Sequence, residues 1–480
     1  MLPIILTAVS AVLALLILVV IIRTILFVPK ENKREETYPL AVDMDRATET
    51  LAEMIRCKTV SDTVNENEDK AEFEKFESIL PKLFSKVFEK CTLEKPSDKS
   101  LLFKWEGVSH DAPTVLMSHY DVVSVEESDW QKPPFDAVLE DGVLWGRGTL
   151  DTKGTLNGIL QAAETLISEG FVPKNDIYFA FGGDEEVNGY GASSIVDLFE
   201  KRGVRPALVL DEGGAVVENV FPGVKSPCAL IGIAEKGMAN VEYSVKGGGG
   251  HASSPAPHTP VGKLSAACVR VENKPFKFGI SSPALQLFDT VGRHSTFVYR
   301  LIFANLWLFS PILNLITRSS GGELNALMRT TTAFTQMEGS KGMNVIPPSA
   351  RMVSNHRIKE GETTDSVLAR ITKTVNDDSI KVSLISGMNP SVVSRTDCEG
   401  YERVFDTVSD TWQDAIVSPY LMLACSDSRH WGRISDRVYR FSAMFLSKEE
   451  RATIHGNNER IPVTTIAKTV EFYIRLMKRS

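Results

Sequence analysis

The sequence predicts an α/β fold in which a mixed, largely parallel sheet carries helices on both faces and a smaller α+β domain is inserted into the chain. Short apolar segments with the length of buried strands alternate with amphipathic helical segments over about residues 114–211, which is typical of parallel sheets. From about residue 238, polar and apolar residues alternate singly, as in a half-exposed strand. A chain of 480 residues also exceeds what one hydrophobic core usually organises.

The first element is apolar, and residues 1–28 are predicted to be a transmembrane anchor. Residues 2–22 contain no charge, and about 20 apolar residues span the bilayer core. A cleaved signal peptide is the alternative, but no positively charged region precedes this run and no small-residue cleavage site follows it. The sequence therefore favours a single-pass membrane protein.

The residues beside the anchor bear on its orientation. Arg23, Lys30, Lys33 and Arg34 follow the apolar run, and the positive-inside rule would place that side in the cytoplasm. The chain also lacks an N-glycosylation sequon. Both observations weigh against a lumenal location for the rest of the chain.

A polar linker and a two-part α/β domain follow the anchor. The linker is predicted at residues 29–42, and the domain at residues 43–237 and 391–480. Apolar runs and helical periodicity define the elements of the domain. Its strands are predicted at 114–117, 177–181 and 207–210, and its helices at 156–167 and 463–477.

Residues 238–390 are predicted to form the inserted α+β domain. Its strands are expected at 241–245 and around 352–358 and 380–385. Within it, the segment 297–316 is unusually apolar, although Arg300, Asn305 and Pro311 interrupt it. Three interpretations stay open for this segment: a buried helical hairpin, a wall for an apolar substrate chain, or a surface that touches the membrane.

Charge and cysteine content exclude two classes of function. The net charge is −8 and the chain has no dense stripe of Lys and Arg, so nucleic-acid binding is not predicted. The six cysteines are widely spaced and form no C-x-x-C pair, which argues against a disulfide framework or a thiolate zinc site. A single disulfide stays open.

Acidic residues and histidines cluster near the predicted strand ends and in glycine-rich loops. Ligands of open α/β sheets bind beyond the carboxyl ends of the strands. Imidazole and carboxylate ligands without thiolates are typical of catalytic zinc, and such a set can hold two ions if one carboxylate bridges them. The candidates are His119, Asp151, Glu185, Glu186, Asp211 and His455.

These motifs resemble those of the two-zinc exopeptidase family of aminoacylase and carboxypeptidase S. The resemblance rests on H-x-D at 119–121, G-R-G-x-x-D-x-K-G at 146–154, D-E-E at 184–186 and D-E-G-G at 211–214. It implies two Zn²⁺ per chain, with Asp151 as the bridge and Glu185 as the general base. Asp121 would orient the imidazole of His119. The implied metal ligands are His119, Asp151, Glu186, Asp211 and His455.

By the same resemblance, the inserted domain is a lid that completes the site. His251 in Gly-His-Ala-Ser resembles a histidine that polarises the scissile carbonyl. Asn344 and Arg357 resemble residues that bind the substrate carboxylate, for which a guanidinium is well suited. Arg429 lies in a segment that resembles a loop closing over the substrate. In relatives the lid often forms a homodimer.

The resemblance implies a zinc-dependent hydrolase that cleaves, and in reverse condenses, N-acyl amino acids. The run 305–309 with the segment 329–333 resembles the N-fatty-acyl amino acid synthase/hydrolase branch of the family, whose location would be lumenal or extracellular, contrary to the charges beside the anchor. A carboxypeptidase acting on short peptides is the alternative enzyme. An inactive, membrane-tethered binding module is the alternative of another class.

Overall fold

The structure is a computed structural model that describes residues 1–29, 37–219, 221 and 223–480. Half of the predicted linker, including Lys30, Lys33 and Arg34, lies outside the described residues. The segment predicted to be an anchor forms helix α1, Leu2–Leu26, which by length and composition could cross a membrane or serve as a signal sequence.

Helices and strands alternate along most of the chain after α1. In chain order, the remaining helices are α2 Met44–Ile55, α3 Lys70–Leu83, α4 Ser85–Lys90, α5 Lys153–Ser168, α6 Gly191–Arg202, α7 Pro260–Glu272, α8 Ser282–His294, α9 Phe297–Ala304, α10 Leu306–Ser320, α11 Gly322–Met328, α12 Thr364–Val375, α13 Glu399–Thr411, α14 Lys448–Arg451 and α15 Val463–Lys478. The strands are β1 Thr92–Glu94, β2 Ser100–Trp105, β3 Ser109–His119, β4 Val138–Glu140, β5 Val143–Trp145, β6 Asn175–Gly182, β7 Leu208–Asp211, β8 Val216–Val217, β9 Cys228–Glu235, β10 Gly237–Lys246, β11 Gly250–His251, β12 Thr331–Glu338, β13 Val345–Ile346, β14 Ser349–Ile358, β15 Ile380–Met388, β16 Ile416–Met422, β17 Val438–Arg440, β18 Phe445–Leu446 and β19 Arg460–Pro462.

The main sheet has the order β1-β2-β6-β3-β7-β17-β9-β8-β18, and β16 also pairs with β9. Its centre is parallel, because β3 pairs in parallel with both β6 and β7, whereas β2 and β6 pair antiparallel. Strand β3 is buried on both faces: Leu116 packs in one core with α5 and α15, while Val115 and Met117 pack in another with α6. The predicted α/β fold, with a mixed sheet and helices on both faces, is confirmed.

The parallel centre of this sheet positions the candidate site. His119 pairs with Gly182 and Leu116 pairs with Leu210, so β3, β6 and β7 end at the same edge. At this edge lie three of the predicted ligands: His119 and Asp211, which are the last residues of β3 and β7, and Glu186, which follows β6.

A second, antiparallel sheet is built from the inserted segment. Its order is β12-β14-β10-β15, and α7 and α12 pack on it through Leu264, Ala267, Val367 and Ile371. This is the arrangement expected of a small α+β domain. We refer to this sheet with its two helices as the lid.

The middle of the inserted segment does not belong to the lid core. Helix α8 buries Leu287, Phe288 and Val291 in the core of the first domain. Helices α9 and α10 meet at a bend of 108° and leave several large apolar side chains exposed. The interpretation of residues 297–316 as a buried hairpin is therefore wrong, because neighbouring elements cover only one side of these helices.

A buried histidine is expected to make the lid sensitive to acid. His356 is fully buried and hydrogen-bonds Thr332 and Ser354, and burial lowers its pKa from 6.5 to about 4. Between these pH values the unfolded chain binds a proton that the folded chain does not, so stability falls as the pH falls. The loss reaches about 3 kcal/mol near pH 4.

The His356→Gln variant should lose less free energy of unfolding on acidification than the unsubstituted chain. Urea unfolding at about pH 7 and about pH 4 measures the difference. His258→Gln is the matched control, because His258 is exposed. Equal acid sensitivity of the His356 variant and the unsubstituted chain would contradict the expectation.

Candidate active site

Asp151 lies between two histidines that are far apart in the chain. Its Oδ1 is 3.1 Å from Nε2 of His119, and its Oδ2 is 2.9 Å from Nε2 of His455. Nε2 of His455 is also 3.1 Å from a carboxylate oxygen of Glu186. The structure thus brings together four of the five predicted metal ligands, and the two oxygens of Asp151 face different histidines, as a bridging carboxylate requires.

The imidazole of His119 is held by Asp121. Nδ1 of His119 is 3.0 Å from the backbone oxygen of Asp121 and 3.3 Å from its carboxylate, which leaves Nε2 directed toward Asp151. Burial disfavours the charged imidazole, but the carboxylates of Glu212, Asp121 and Asp151 outweigh it and raise the pKa of His119 well above its ordinary value. Asp121 therefore occupies the orienting position predicted for it.

Asp121 also holds the loop that contains Glu185 and Glu186. Its carboxylate accepts hydrogen bonds from the backbone N–H groups of both residues, at 3.2 and 3.1 Å, and from the hydroxyl of Ser61 at 2.8 Å. These bonds fix the short helical turn after β6 relative to β3. One fully buried carboxylate thus positions both His119 and the Glu185–Glu186 pair.

The carboxylate beside His119 is that of Glu212, and not that of the predicted ligand Asp211. Oε1 of Glu212 lies 3.5 Å from Nε2 of His119, whereas the Asp211 carboxylate accepts a hydrogen bond from the backbone N–H of Ser428 at 2.9 Å. Asp211 is the last residue of β7 and Glu212 the first after it. Their side chains diverge because consecutive strand residues point to opposite faces.

Glu185 and Glu212 bring two further carboxyl groups close to His119. Ligand atoms of His119, Glu185 and Glu212 lie within 4.8 Å of one another, as do those of His119, Asp151 and Glu186. Burial raises the pKa of Glu185 well above its ordinary value. Burial and the nearby Asp151 raise the pKa of Glu212 to about 8.

Two features of these residues suit a divalent cation: the types of their ligand atoms, and a buried carboxylate oxygen that has no hydrogen-bond donor. The Oε1 atom of Glu186 is buried and has no hydrogen-bond partner among the described residues. A buried carboxylate oxygen without a donor is costly, and a metal ion would compensate it. Imidazole nitrogens and carboxylate oxygens without thiolate are the donor set that catalytic zinc accepts.

A buried ion pair that the sequence did not reveal supports the Asp151 loop. Glu459 is fully buried, pairs with Arg147 at 2.6 Å, and accepts hydrogen bonds from the backbone N–H groups of Leu150 and Asp151. The Arg in the G-R-G motif was the available signal for a buried acidic partner. The loop is also tight, because a Cβ on Gly154 would lie 2.3 Å from the Thr149 oxygen.

Arg357 lies on strand β14 of the lid and contacts the loop that begins at Cys425. Among the described residues its side-chain hydrogen-bond partner is Sγ of Cys425, at 3.6 Å, so its charge has no carboxylate partner there. The loop after Cys425 contacts the main site through the bond between Ser428 and Asp211. Arg357 therefore offers a cation without a carboxylate partner beside the loop that joins Cys425 to Ser428.

The guanidinium of Arg429 makes more hydrogen bonds within the chain than that of Arg357. Its guanidinium donates to the Ser426 backbone oxygen at 3.0 Å and to Oδ1 of Asn188 at 3.1 Å. Asn188 directly follows the turn containing Glu185 and Glu186. In this conformation Arg429 ties the loop of residues 425–429 to that turn.

His251 and Asn344 lie together at the tip of the lid. His251 pairs with Val345 between β11 and β13, and the backbone oxygen of Asn344 accepts a hydrogen bond from Ala252. Both residues are exposed, and Nδ1 of His251 interacts with the Ser253 hydroxyl at 2.7 Å. Within one chain these contacts are local, so the structure does not bring His251 to the metal-ligand cluster.

The remaining histidines and the cysteines lie outside the cluster. The identified groups of potential metal ligands contain none of them. The six cysteines are free thiols, so no disulfide forms. The histidines concerned are His110, His258, His294, His356 and His430.

Comparison with solved structures places this architecture among known folds. Human carnosine dipeptidase 1 superimposes with a TM-score of 0.64 at 14% identity, covering 92% of this chain and 99% of that one. The M20 family metallo-carboxypeptidase Sso-CP2 from Sulfolobus solfataricus gives 0.63 at 18% identity, covering 90% and 98%. At these identities the likeness shows the fold.

Sequence relatives are similar over nearly the whole chain. The probable carboxypeptidase S-like 2 of Dictyostelium discoideum is 35% identical, covering 97% of this chain and 92% of its own length. The N-fatty-acyl-amino acid synthase/hydrolase PM20D1 of Xenopus tropicalis is 37% identical, covering 98% and 93%. A family model described as peptidase family M20/M25/M40 matches residues 115–479. The resemblance noted from the motifs is therefore confirmed, and the chain belongs to peptidase family M20/M25/M40, with the metal-dependent hydrolase chemistry of that family.

Proposed function

We propose that the chain is a two-zinc hydrolase of N-acyl amino acids. The observation that carries this proposal is the position of Asp151, whose two oxygens face His119 and His455. One zinc would be held by His119, Asp151 and Glu212. The other would be held by His455, Asp151 and Glu186, with Asp151 shared between them.

Glu185 is the general base in this proposal. Zinc at such a site acts as a Lewis acid that makes water more acidic and polarises a carbonyl. Glu185 lies close to the ligand atoms of His119 and Glu212, and its buried carboxyl has a raised pKa. A base with a raised pKa can accept a proton from the attacking water and then donate it to the leaving amine nitrogen.

Arg357 binds the substrate carboxylate. Its guanidinium lacks a carboxylate partner among the described residues and lies beside Cys425, in the loop whose Ser428 hydrogen-bonds Asp211. An N-acyl amino acid has its free carboxylate one carbon from the amide nitrogen, so a cation next to the metal centre suits it. Asn344 and Arg429 would add contacts when the lid closes.

The chemical class of the acyl group follows from the relatives. Proteins named N-fatty-acyl-amino acid synthase/hydrolase are 37% identical in Xenopus tropicalis and 34% identical in human, which supports a fatty acyl chain. The same site would catalyse condensation when fatty acid and amino acid are in excess, because a catalyst accelerates both directions. Carnosine dipeptidase 1 and carboxypeptidase S share the fold or family, which supports peptide hydrolysis as the second candidate.

The two candidate activities are distinguished by which substrate releases free amino acid. The zinc-loaded full-length protein in detergent is incubated with an N-oleoyl amino acid or with an N-blocked dipeptide. We expect the N-oleoyl amino acid to be the better substrate by kcat/KM. Turnover of the dipeptide alone would replace the proposal with a carboxypeptidase, and turnover of neither, with no bound zinc, would favour the inactive binding module.

Replacement of Arg357 should impair substrate binding more than chemistry. Arg357→Lys keeps the charge but loses the bidentate geometry, and we expect KM for an N-acyl amino acid to rise about 10- to 100-fold, which equals about 1.4 to 3 kcal/mol. Arg351→Lys, on the same strand, is the control because Arg351 pairs with Glu242. An unchanged KM in the Arg357 variant, or equal loss in both variants, would contradict the assignment.

His251 would act in a homodimer. Its side chain is exposed at the lid tip and, among the described residues, hydrogen-bonds only Ser253 of its own loop, which leaves it available to a partner subunit. There it would donate a hydrogen bond to the developing oxyanion. Mixing a His251→Ala chain with a Glu185→Gln chain tests this, since recovery of activity requires that sites exchange residues between subunits.

Helix α1 would anchor the enzyme as a single-pass membrane protein. Its length and composition fit a span, and a signal sequence would have the same features. We place the catalytic domain on the lumenal or extracellular side, as the relatives' branch implies. Protease protection of the full-length protein in sealed microsomes measures the topology.

A further inference from the structure

Helices α9 and α10 present an apolar face that the rest of the described chain does not cover. Phe297, Val298, Trp307, Ile312 and Leu315 are each more than half exposed, with Leu315 at 70%. Side chains of this size exposed together are uncommon on a soluble surface. This group of residues is called the apolar face below.

The apolar face is continuous with the anchor helix. The guanidinium of Arg23 donates to the backbone oxygen of Ala304 at 3.0 Å, and Nδ2 of Asn305 donates to Oγ1 of Thr24 at 3.2 Å. Thr24 and Asn305 are fully buried at this junction. Polar contacts thus fix the end of α1 against the start of α10, next to Trp307.

The charged residues within α9 and α10 are all basic. Residues 297–320 include Arg300 and Arg318 and no acidic residue. Toward the end of α10, Arg318 lines a cavity together with Lys274, Lys277, Arg329 and Arg370. An apolar, aromatic-containing face bordered by basic residues matches the acyl chains and the phosphate groups of a bilayer surface.

We propose that α9 and α10 lie in the interfacial region of the same membrane that α1 crosses, as a second, monotopic contact. The bend of 108° between them prevents a straight span, so they rest in one leaflet. Any bilayer around α1 must pass close to Trp307, because the polar junction holds the two elements together. The contact rests on the proposed membrane anchoring by α1 and is independent of the proposed reaction.

Trp307 makes the proposal testable in the full-length protein. Of the six tryptophans in the chain, Trp307 is the one that is exposed. Helix α1 contains no tryptophan. The protein is reconstituted into phosphatidylcholine–phosphatidylserine vesicles with or without bromine on the acyl chains. We expect bromine to quench a share of the tryptophan emission, and Trp307→Phe to abolish that quenching while preserving the apolar face.

The opposite outcomes overturn the proposal. Equal emission from both vesicle types, or quenching that persists in the Trp307 variant, would show that the apolar face lies outside the bilayer. Quenching of Trp307 by water-soluble acrylamide alone would assign the face to water or to a soluble partner. Emission is measured without substrate, so a failure of the proposed reaction would leave this result unaffected.

Discussion

Glu185→Gln is expected to reduce kcat for amide hydrolysis about 10²- to 10⁴-fold, the contribution typical of a general base. The amide cannot accept the proton of the attacking water, yet it has nearly the size of the carboxylate. The backbone bond from residue 185 to Asp121 does not depend on the side chain. The metal-ligand geometry should therefore persist, and kcat should fall while bound zinc is retained.

Glu186→Gln is the neighbouring comparison. Glu186 contacts His455 and has a buried oxygen without a partner, so its replacement should lower zinc content together with activity. Steady-state rates and zinc content per chain, measured for both variants, separate the two roles. Normal turnover in Glu185→Gln, or loss of zinc from it, would refute the assignment of Glu185 as base.

Glu212→Gln is expected to lose about half of the zinc, whereas Asp211→Asn should retain it. Glu212 lies beside His119, while Asp211 is occupied by the backbone N–H of Ser428, and asparagine can still accept that hydrogen bond. Elemental analysis after rapid desalting measures zinc per chain. The reverse result, with zinc lost from Asp211→Asn, would restore the ligand assignment based on the motif alone.

The sequence predicts the positions of those site residues that lie at or just after the ends of strands. His119 ends β3, and Glu185 and Glu186 follow β6 closely, so their proximity follows from the parallel pairing of these strands. The choice between Asp211 and Glu212 could not be made in this way. It depends on how the chain leaves β7, and a shift of one residue reverses the direction of a side chain.

Contacts between segments that are distant in the chain were the other part of the structure that the sequence could not predict. The motif around Arg147 predicted a tight loop but not Glu459, which lies more than 300 residues later. Similarly, apolarity alone did not separate a buried hairpin from an exposed one at residues 297–316. That distinction depends on which neighbours α9 and α10 have in the folded chain, and the structure shows that α1 is one of them.

Anomalous X-ray diffraction at the zinc absorption edge, from crystals of the zinc-loaded full-length protein, tests the metal centre most directly. We expect two peaks flanking the Asp151 carboxylate, one beside His119 and Glu212 and the other beside His455 and Glu186. A single peak, or a peak coordinated by Asp211 in place of Glu212, would contradict the two-zinc site on which the proposed hydrolysis of N-acyl amino acids depends.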